Sequence, residues 1–345
     1  MARIALDAMG GDHAPAAPVA GALLALEEFG TTHTIQLIGR ENVIRAELAR
    51  LLAGEFRALG ARAQELAIVH ANDVIEMADK PAVAIRGKQQ SSLVVGLRLQ
   101  ADGKSDAFVS AGNTGAQMAA SISILKLHEG LTRPAISTLF PSTGRDIVVV
   151  DSGANVDCSA EELVQFARLG AVYAEDILGR AHPSVGLLSI GEEPEKGNAA
   201  VKKAHALLAG AAGEGLNFHG NVEGRDLPLG ASARGPVDVV VCDGFVGNVL
   251  LKFYESVSPM LRGLLARQRV TDAQITGALH HLDYASVGGA PLLGVRGVSI
   301  IAHGKSSPDA IRNAVKVAAR AVESRMSDHI GQRLATGAAQ RRGAA

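Results

Sequence analysis

The sequence has no tryptophan, and eight phenylalanines with three tyrosines make aromatics only 3% of its 345 residues. Single-strand nucleic-acid binding stacks bases on aromatic rings, so that class has little to build on here. An excess of one charge is missing too. Lys and Arg number 34 against 35 Asp and Glu, a formal net charge of −1, which argues against a basic nucleic-acid protein. The two cysteines, Cys158 and Cys242, have no CxxC or zinc-ligand spacing, and such usage fits a reducing, cytoplasmic setting. Long hydrophobic runs are also lacking. The longest uncharged window, Ala107 to Leu125, carries Ser, Asn, Thr, Gln and Gly throughout and is too polar to span a bilayer. Asp7 and the glycines after it interrupt the first apolar stretch, so no signal peptide is expected. A peripheral membrane role stays open.

Several named motifs are absent as well. There is no G-x-G-x-x-G dinucleotide fingerprint and no G-x-S-x-G elbow. "HGKSS" (His303–Ser307) resembles the end of a P-loop, but Ser299 stands where the first glycine is required. The histidines show no H-E-x-x-H or H-x-x-x-H pairing, so neither metal nor cofactor is expected. The adjacent His280 and His281 would face different directions on a helix and read as surface.

What is present is an aliphatic core supply, 47% hydrophobic residues, arranged in short β-branched runs that alternate with helical stretches. Strands are expected at Arg3–Met9, Thr34–Gly39, Leu66–His70, Asp106–Ser110, Ile136–Phe140, Asp146–Asp151, Val185–Ile190, Leu216–His219, Val237–Cys242 and Val298–Ala302. Helices are expected at Pro81–Gln100, Thr114–His128, Glu161–Leu178 and Ser307–Arg325, among others. This alternation predicts an α/β sheet with helices on both faces, and continuous apolar runs such as Ile147–Val150 predict strands buried on both sides. No linker divides the chain. A single extended domain over 1–330 is expected, with a helical excursion at about 250–283 and a mobile basic tail over 331–345.

In an open α/β sheet, ligands bind outside the carboxyl ends of the strands. Five such ends are rich in Gly, Asp and Asn: "LDAMGGDHAP" (Leu6–Pro15), "SAGNTGA" (Ser110–Ala116), "VDSGANVD" (Val150–Asp157), "SIGEEPEKG" (Ser189–Gly197) and "CDGFVGN" (Cys242–Asn248). Turn chemistry alone uses these residues, but five loops together point to a ligand site. In "SAGNTGA", Asn113 or Thr114 can cap the following helix. Gly112 and Gly115 let the backbone approach a ligand, and the first helical turn offers unpaired N–H groups to an anion.

These loops, with "RPAI" (Arg133–Ile136) and "YASVGGAPLLGVRG" (Tyr284–Gly297), resemble the PlsX-type phosphate acyltransferases of bacterial phospholipid synthesis, in matching order from about Ile4 to about Val322. The resemblance implies a three-layer α/β/α sandwich with a mostly parallel sheet, similar to phosphotransacetylases and to isocitrate/isopropylmalate dehydrogenases. It implies acyl transfer from acyl-[acyl-carrier-protein] to orthophosphate, a homodimer, and a product that feeds a membrane glycerol-3-phosphate acyltransferase. Relatives often carry a longer, more apolar insertion where this chain has Phe253 to Asp283 with Arg262, Arg267 and Arg269. That difference argues against direct membrane insertion.

The chemistry agrees with the residues. Phosphate is itself a nucleophile, and a thiol with a pKa of roughly 8.5 leaves readily, so no Ser–His–Asp triad is required. Positioning and oxyanion donors are required. Catalytic candidates are Asn113, Thr114, Asp243 and Lys196. Candidates for binding phosphate or substrate are Asp7, Gly10, Gly11, Asp12, Ser110, Gly112, Gly115, Asp151, Asn155, Gly244, Gly247 and Asn248. Each acid has a competing structural role, as a loop or helix cap. Lys252, Arg86, Lys88 and Lys305 are further basic candidates, each with a surface-charge alternative. An acyl-cysteine route is disfavoured, because Cys242 ends an apolar strand and Asp157 beside Cys158 should raise its pKa. Leu250, Phe253, Val257, Met260 and Leu264 share a helical face, with a bend expected before Pro259. That face packs on the core or a partner, or lines an acyl groove, in which case Arg262, Arg267 and Arg269 would meet an acidic carrier protein. The alternatives are phosphotransacetylase-like use of acyl-CoA, a metal-dependent decarboxylating dehydrogenase with Asp-bound Mg²⁺, and a non-catalytic carrier-binding scaffold.

Overall fold

Apolar residues at consecutive positions, such as Ile4-Ala5-Leu6 and Ala107-Phe108-Val109, form strands buried on both faces. Such strands need helices on either side, and the alternating pattern supplies them. The computed structural model describes every residue except 212–214, 269, 280–287 and 344–345. It divides into two compact units, Met1–His128 with Val287–His329, and Glu129–Ser286 with Ile330–Ala345.

In the first unit the sheet order is Ala67–His70, Thr34–Gly39, Arg3–Asp7, Ala107–Ser110, Val298–Ile301, Ala290–Leu293. All neighbours are parallel except the last pair. Leu6 lies between Leu37 and Val109, and Val109 pairs onward to Ile300. The helix Pro308–Glu323 shows how its sequence dictates its place. Ser307 accepts from Ala310 N–H at 3.2 Å, Pro308 pre-sets the first turn, and Ile311, Ala314, Val315 and Ala318 recur on the buried face.

The second unit has the order Ala135–Phe140, Ile147–Val150, Val239–Val241, Ser184–Leu188, Asn217–Val222. The first pair is antiparallel and the rest are parallel. A capping box starts the helix Ala160–Asp176: Ser159 accepts from Glu162 N–H at 3.2 Å, and the Glu162 carboxylate accepts from Ser159 N–H at 2.8 Å. Phe140, Val149, Val240 and Cys242 share one core cluster, with Tyr254 edge-on to Phe140 at 4.8 Å.

The mostly parallel α/β sandwich is as expected, with differences in detail. Where one domain was expected, the chain leaves the first unit at His128 and re-enters it at Val287. No change of composition marks either crossing, so the sequence reads as continuous. Pro81–Gln100 is two helices, Pro81–Gly87 and Ser92–Ala101, because Ser91 takes up an extended conformation and caps the second through Val94 N–H at 3.4 Å. The helix Met326–Gly343 takes in most of the segment expected as a mobile tail. The helix Gly244–Arg267 continues through Pro259.

Asp238 pairs with two arginines of the second unit, Arg180 and, at 3.3 Å, Arg145. The Asp238 carboxylate accepts from Arg180 Nη1 at 2.8 Å and from both Ser184 N–H and Oγ–H at 2.9 Å. Burial works to raise the Asp238 pKa, but the bonds from Ser184 and Arg180 outweigh it and hold the carboxyl below its ordinary value. Its contribution to stability is therefore present above the unfolded pKa of about 3.9 and fades as pH falls through the lower folded value. Asp238→Ala should cost about 3 kcal/mol at neutral pH, the scale for stripping one partner from a buried pair. Urea unfolding at neutral and strongly acidic pH checks this. The gap between the two proteins should shrink in acid, and a gap that does not depend on pH would refute the assignment.

Candidate active site

Parallel strands bring three loops together at one end of the first unit. Asp7 ends one strand and Ser110 its neighbour, and Ala302 N–H donates to Ser110 O at 2.8 Å. Asp7 is 3% exposed: its carboxylate accepts from Met9 N–H at 3.0 Å and from Ser110 Oγ–H at 2.7 Å. Burial pushes its pKa up, against the pull of those bonds. Gly112 N–H in turn donates to Ser110 Oγ at 3.0 Å. Gly10 lies over this pair, where a Cβ would come within 2.7 Å of Asp7 Oδ2 and 2.8 Å of Gly112 N. Asp7, Ser110, Gly10 and Gly112 therefore form a packed floor. Gly11 follows with φ of 101°, and Asp12 N–H donates to Gly304 O at 2.7 Å, leaving the Asp12 carboxylate exposed. Lys305, beside Gly304, is exposed and its ammonium has no partner among the described residues.

Asn113 caps the helix Thr114–Ile124 through Ala116 N–H at 3.0 Å. Its amide nitrogen donates to the carbonyls of Glu76, Met77 and Asp79 at 3.2, 3.2 and 3.0 Å. Both ends of the side chain are thus engaged within the protein, and the geometry makes Asn113 a positioning residue for the turn. Thr114 is exposed, and the Thr114 and Gly115 N–H groups have no partner among the described residues. Gly115 packs against Pro81. Lys88 Nζ donates to Val74 O at 2.8 Å and pairs with Asp79 at 2.5 Å, steadying the segment that Asn113 grips.

The second unit gathers the other candidates. Asp151 is fully buried and accepts from Ile136, Gly153, Ala154 and Asn155 N–H groups and from Asn155 Nδ2, at 2.7–3.3 Å. Those bonds make it the keystone of its loop. Asp243 caps the helix Gly244–Arg267 through Val246 N–H at 2.8 Å, and Gly244 N–H donates to Asn155 O at 2.7 Å. Asn248 is exposed on the next turn, near Gly153. Lys196 is exposed, with no partner for its ammonium among the described residues. Its loop is anchored by Asn221 Nδ2–H donating to Glu193 O at 2.7 Å. Beside these groups is a cavity of about 630 Å³.

Sequence reasoning passed over Asn198 and Ser189. Asn198 caps the helix Ala199–Gly210 through Val201 N–H at 2.9 Å. Its signal was the cap residue just beyond "EPEKG". Ser189 Oγ is buried without a partner, which no local pattern announces.

The expected acyl-groove face divides. Leu250 packs on the core cluster with Leu251 and Tyr254, whereas Phe253, Met260 and Leu264 are open to solvent. The open stripe runs through Phe245, Val249 and Phe253 instead. Arg262 donates to Thr276 Oγ1 at 3.2 Å, and Arg267 is exposed at the helix end. Arg269, the histidine pair and Tyr284 to Val287 of the last motif lie outside the described residues. No described helix is long and apolar enough to cross a membrane.

Residues 2–329 match the family described as "Fatty acid synthesis protein". The phosphate acyltransferase of Pelotomaculum thermopropionicum is 45% identical over 339 residues, covering 95% of this chain and 94% of that protein. That of Desulfitobacterium hafniense is 45% identical over 346 residues, covering 97% and 98%. A phosphotransacetylase from Streptococcus pyogenes shares the fold with a TM-score of 0.63 and 17% identity, covering 93% of this chain and 94% of that one. On these matches, which run nearly end to end, the chain belongs to the PlsX-type family of phosphate acyltransferases.

Proposed function

We propose that the protein transfers a fatty acyl group from acyl-[acyl-carrier-protein] to orthophosphate, and that the acyl phosphate serves bacterial phospholipid synthesis. The reading rests on membership of the phosphate acyltransferase family over the whole 2–329 span. The strand-end loops are consistent with it, since unpaired N–H groups at Thr114 and Gly115 suit an anion.

The reaction balances without an outside acid or base. One oxygen of HPO₄²⁻ attacks the thioester carbonyl, the carbon–sulfur bond breaks, and the phosphate's proton ends on the departing thiolate. The protein's part is to position the two reactants and to stabilise the developing oxyanion. Thr114 Oγ1–H and the N–H groups of its turn are the donors proposed for those tasks. Asn113 holds the turn in place. Cys158 does not serve as a nucleophile in this scheme: burial, then nearby carboxylates, push its thiol up to about 12. A homodimer and delivery to a membrane glycerol-3-phosphate acyltransferase belong to the same proposal.

The test is acyl phosphate formation from acyl-carrier-protein and acyl-CoA donors, in excess EDTA and without nicotinamide. The carrier-protein donor should react. Turnover with acyl-CoA alone would favour the phosphotransacetylase-like alternative, and activity only after Mg²⁺ addition would sink the metal-free scheme. Exposed arginines act chiefly through steering, which fades with salt. Changing Arg262 and Arg267 to Glu together should therefore raise KM for the carrier-protein donor several-fold and leave KM for phosphate nearly unchanged. An unaltered donor KM in the folded variant would place docking on another face.

A further inference from the structure

The cavity of the second unit has a shape and a lining that suit one part of the proposed donor. Its volume of about 630 Å³ falls within the range of roughly 300–1,000 Å³ usual for small-molecule sites. Its walls are mainly aliphatic, with Leu163, Leu188, Val201, Val246 and Leu250 among them. Burial varies along it. Ile190 is 82% exposed and Val246 37%, whereas Leu163 is 2% and Cys242 5% exposed. The cavity therefore has an open rim and a closed floor. No Lys, Arg or His lines it, and its two charged residues, Asp157 and Asp243, are acidic. A phosphate dianion has no counter-charge there.

We propose that this cavity holds the hydrocarbon chain of the acyl donor, with the methyl end toward Leu163 and Cys242 and the thioester toward Ser189, Asn198 and Asp243. The assignment rests on the acyl-transfer reading above, and it moves the chain off the open outer stripe of the Gly244–Arg267 helix to its inner side. Three further observations support it. Ser189 lines the cavity, and its Oγ is buried with no hydrogen-bond partner among the described residues. Both cysteines line the cavity, and both thiols point to backbone carbonyls: Cys158 Sγ–H to Asn155 O at 3.7 Å and Cys242 Sγ–H to Asp151 O at 3.5 Å. Burial keeps both thiols protonated, so they behave as small apolar surfaces and do not intercept the thioester.

The test uses acyl N-acetylcysteamine thioesters, neutral mimics of the donor's end, with chains from butyryl to dodecanoyl and with no phosphate present. Titration calorimetry should show affinity rising about fourfold per added methylene until the cavity is full. Ala200 lines the cavity from the first turn of the Ala199–Gly210 helix. Ala200→Phe should weaken the dodecanoyl thioester at least tenfold and leave the butyryl thioester within about twofold, because the ring displaces several methylenes. Leu163→Ala at the floor is the second variant, and it should extend the rise in affinity to longer chains. Affinity indifferent to chain length would overturn the assignment, as would an unchanged length profile in a folded variant. The acyl phosphate assay separates this failure from failure of the function. Turnover with a flat length profile rejects the cavity alone. Length-dependent binding without turnover from any donor rejects the function and keeps the cavity.

Discussion

Asn113→Asp should cut acyl phosphate formation by roughly 10²-fold, the scale for misplacing reactive groups by about 1 Å. The substituted side chain can still cap Ala116 N–H, so the helix Thr114–Ile124 keeps its start. What changes is the other end. An amide that donates to the carbonyls of Glu76, Met77 and Asp79 becomes a carboxylate facing the same three oxygens. The two N–H donors shared among these three carbonyls, at about 1 kcal/mol each, are lost, and repulsion is added. The segment from Glu76 to Asp79 must move, although Lys88 still holds it from behind. Asn113→Ala removes the cap as well, but brings no negative charge. It should therefore be the less stable of the two relative to its activity loss. Thermal unfolding alongside the rate assay decides the matter. Wild-type rate in a folded Asn113→Asp protein would show that this turn takes no part in the reaction.

Gly247→Ala should destabilise the protein by about 3 kcal/mol or more, at the upper end for overpacking. A Cβ at this position would sit 1.9 Å from the backbone oxygen of Asp151 and 3.1 Å from Ser152 Cα. Neither obstacle is a side chain that can rotate away. The helix would have to lift from the loop to which Gly244 N–H attaches it. The control lies on the same helix. Gly263 has nothing within 4 Å of its Cβ direction, so Gly263→Ala should stabilise by about 0.5–1 kcal/mol through helix propensity alone. Opposite signs in denaturant unfolding are expected. Equal shifts would mean that the contact at Gly247 does not govern how this helix is seated.

The same two positions show what a sequence can and cannot convey. Asn113 reads as a helix cap because the cap is local: the acceptor and the N–H it serves are three residues apart. Its three other bonds reach 34 to 37 residues back, to a stretch with no distinctive pattern. Hence Asn113 reads as a catalytic candidate from the sequence, while in the structure its amide is engaged within the protein. Gly247 and Gly10 read as glycines that admit a ligand, yet each makes room for the protein's own atoms. Composition cannot tell those cases apart, since both require a missing Cβ. Strands were readable where aliphatic runs are continuous, as at Ile147–Val150, or broken by a single small residue, as at Val298–Ile301. The strand Ala290–Leu293 was not, being four residues long with a proline inside. The cavity was invisible, because its walls come from five separated segments and its emptiness is a property of their packing.

The return of the chain at Val287 has a consequence for synthesis on the ribosome. Val298–Ile301 lies between Ala107–Ser110 and Ala290–Leu293 in the first unit's sheet. Until it emerges, Ala107–Ser110 presents a bare row of amides and carbonyls on a strand that is fully buried in the finished fold. The gap is roughly 190 residues, which at about 5–20 residues per second leaves that edge unprotected for about 10–40 s. An unpaired, flat, apolar edge is a template for pairing with another chain. The second unit, by contrast, has all five of its strands in hand by Val241 and can close its sheet early. A chaperone that shields strand edges should therefore raise the soluble yield, whereas slowed translation, which lengthens the exposure, should lower it. The first unit, already about two thirds synthesised when Ser110 emerges, is the half at risk of aggregation.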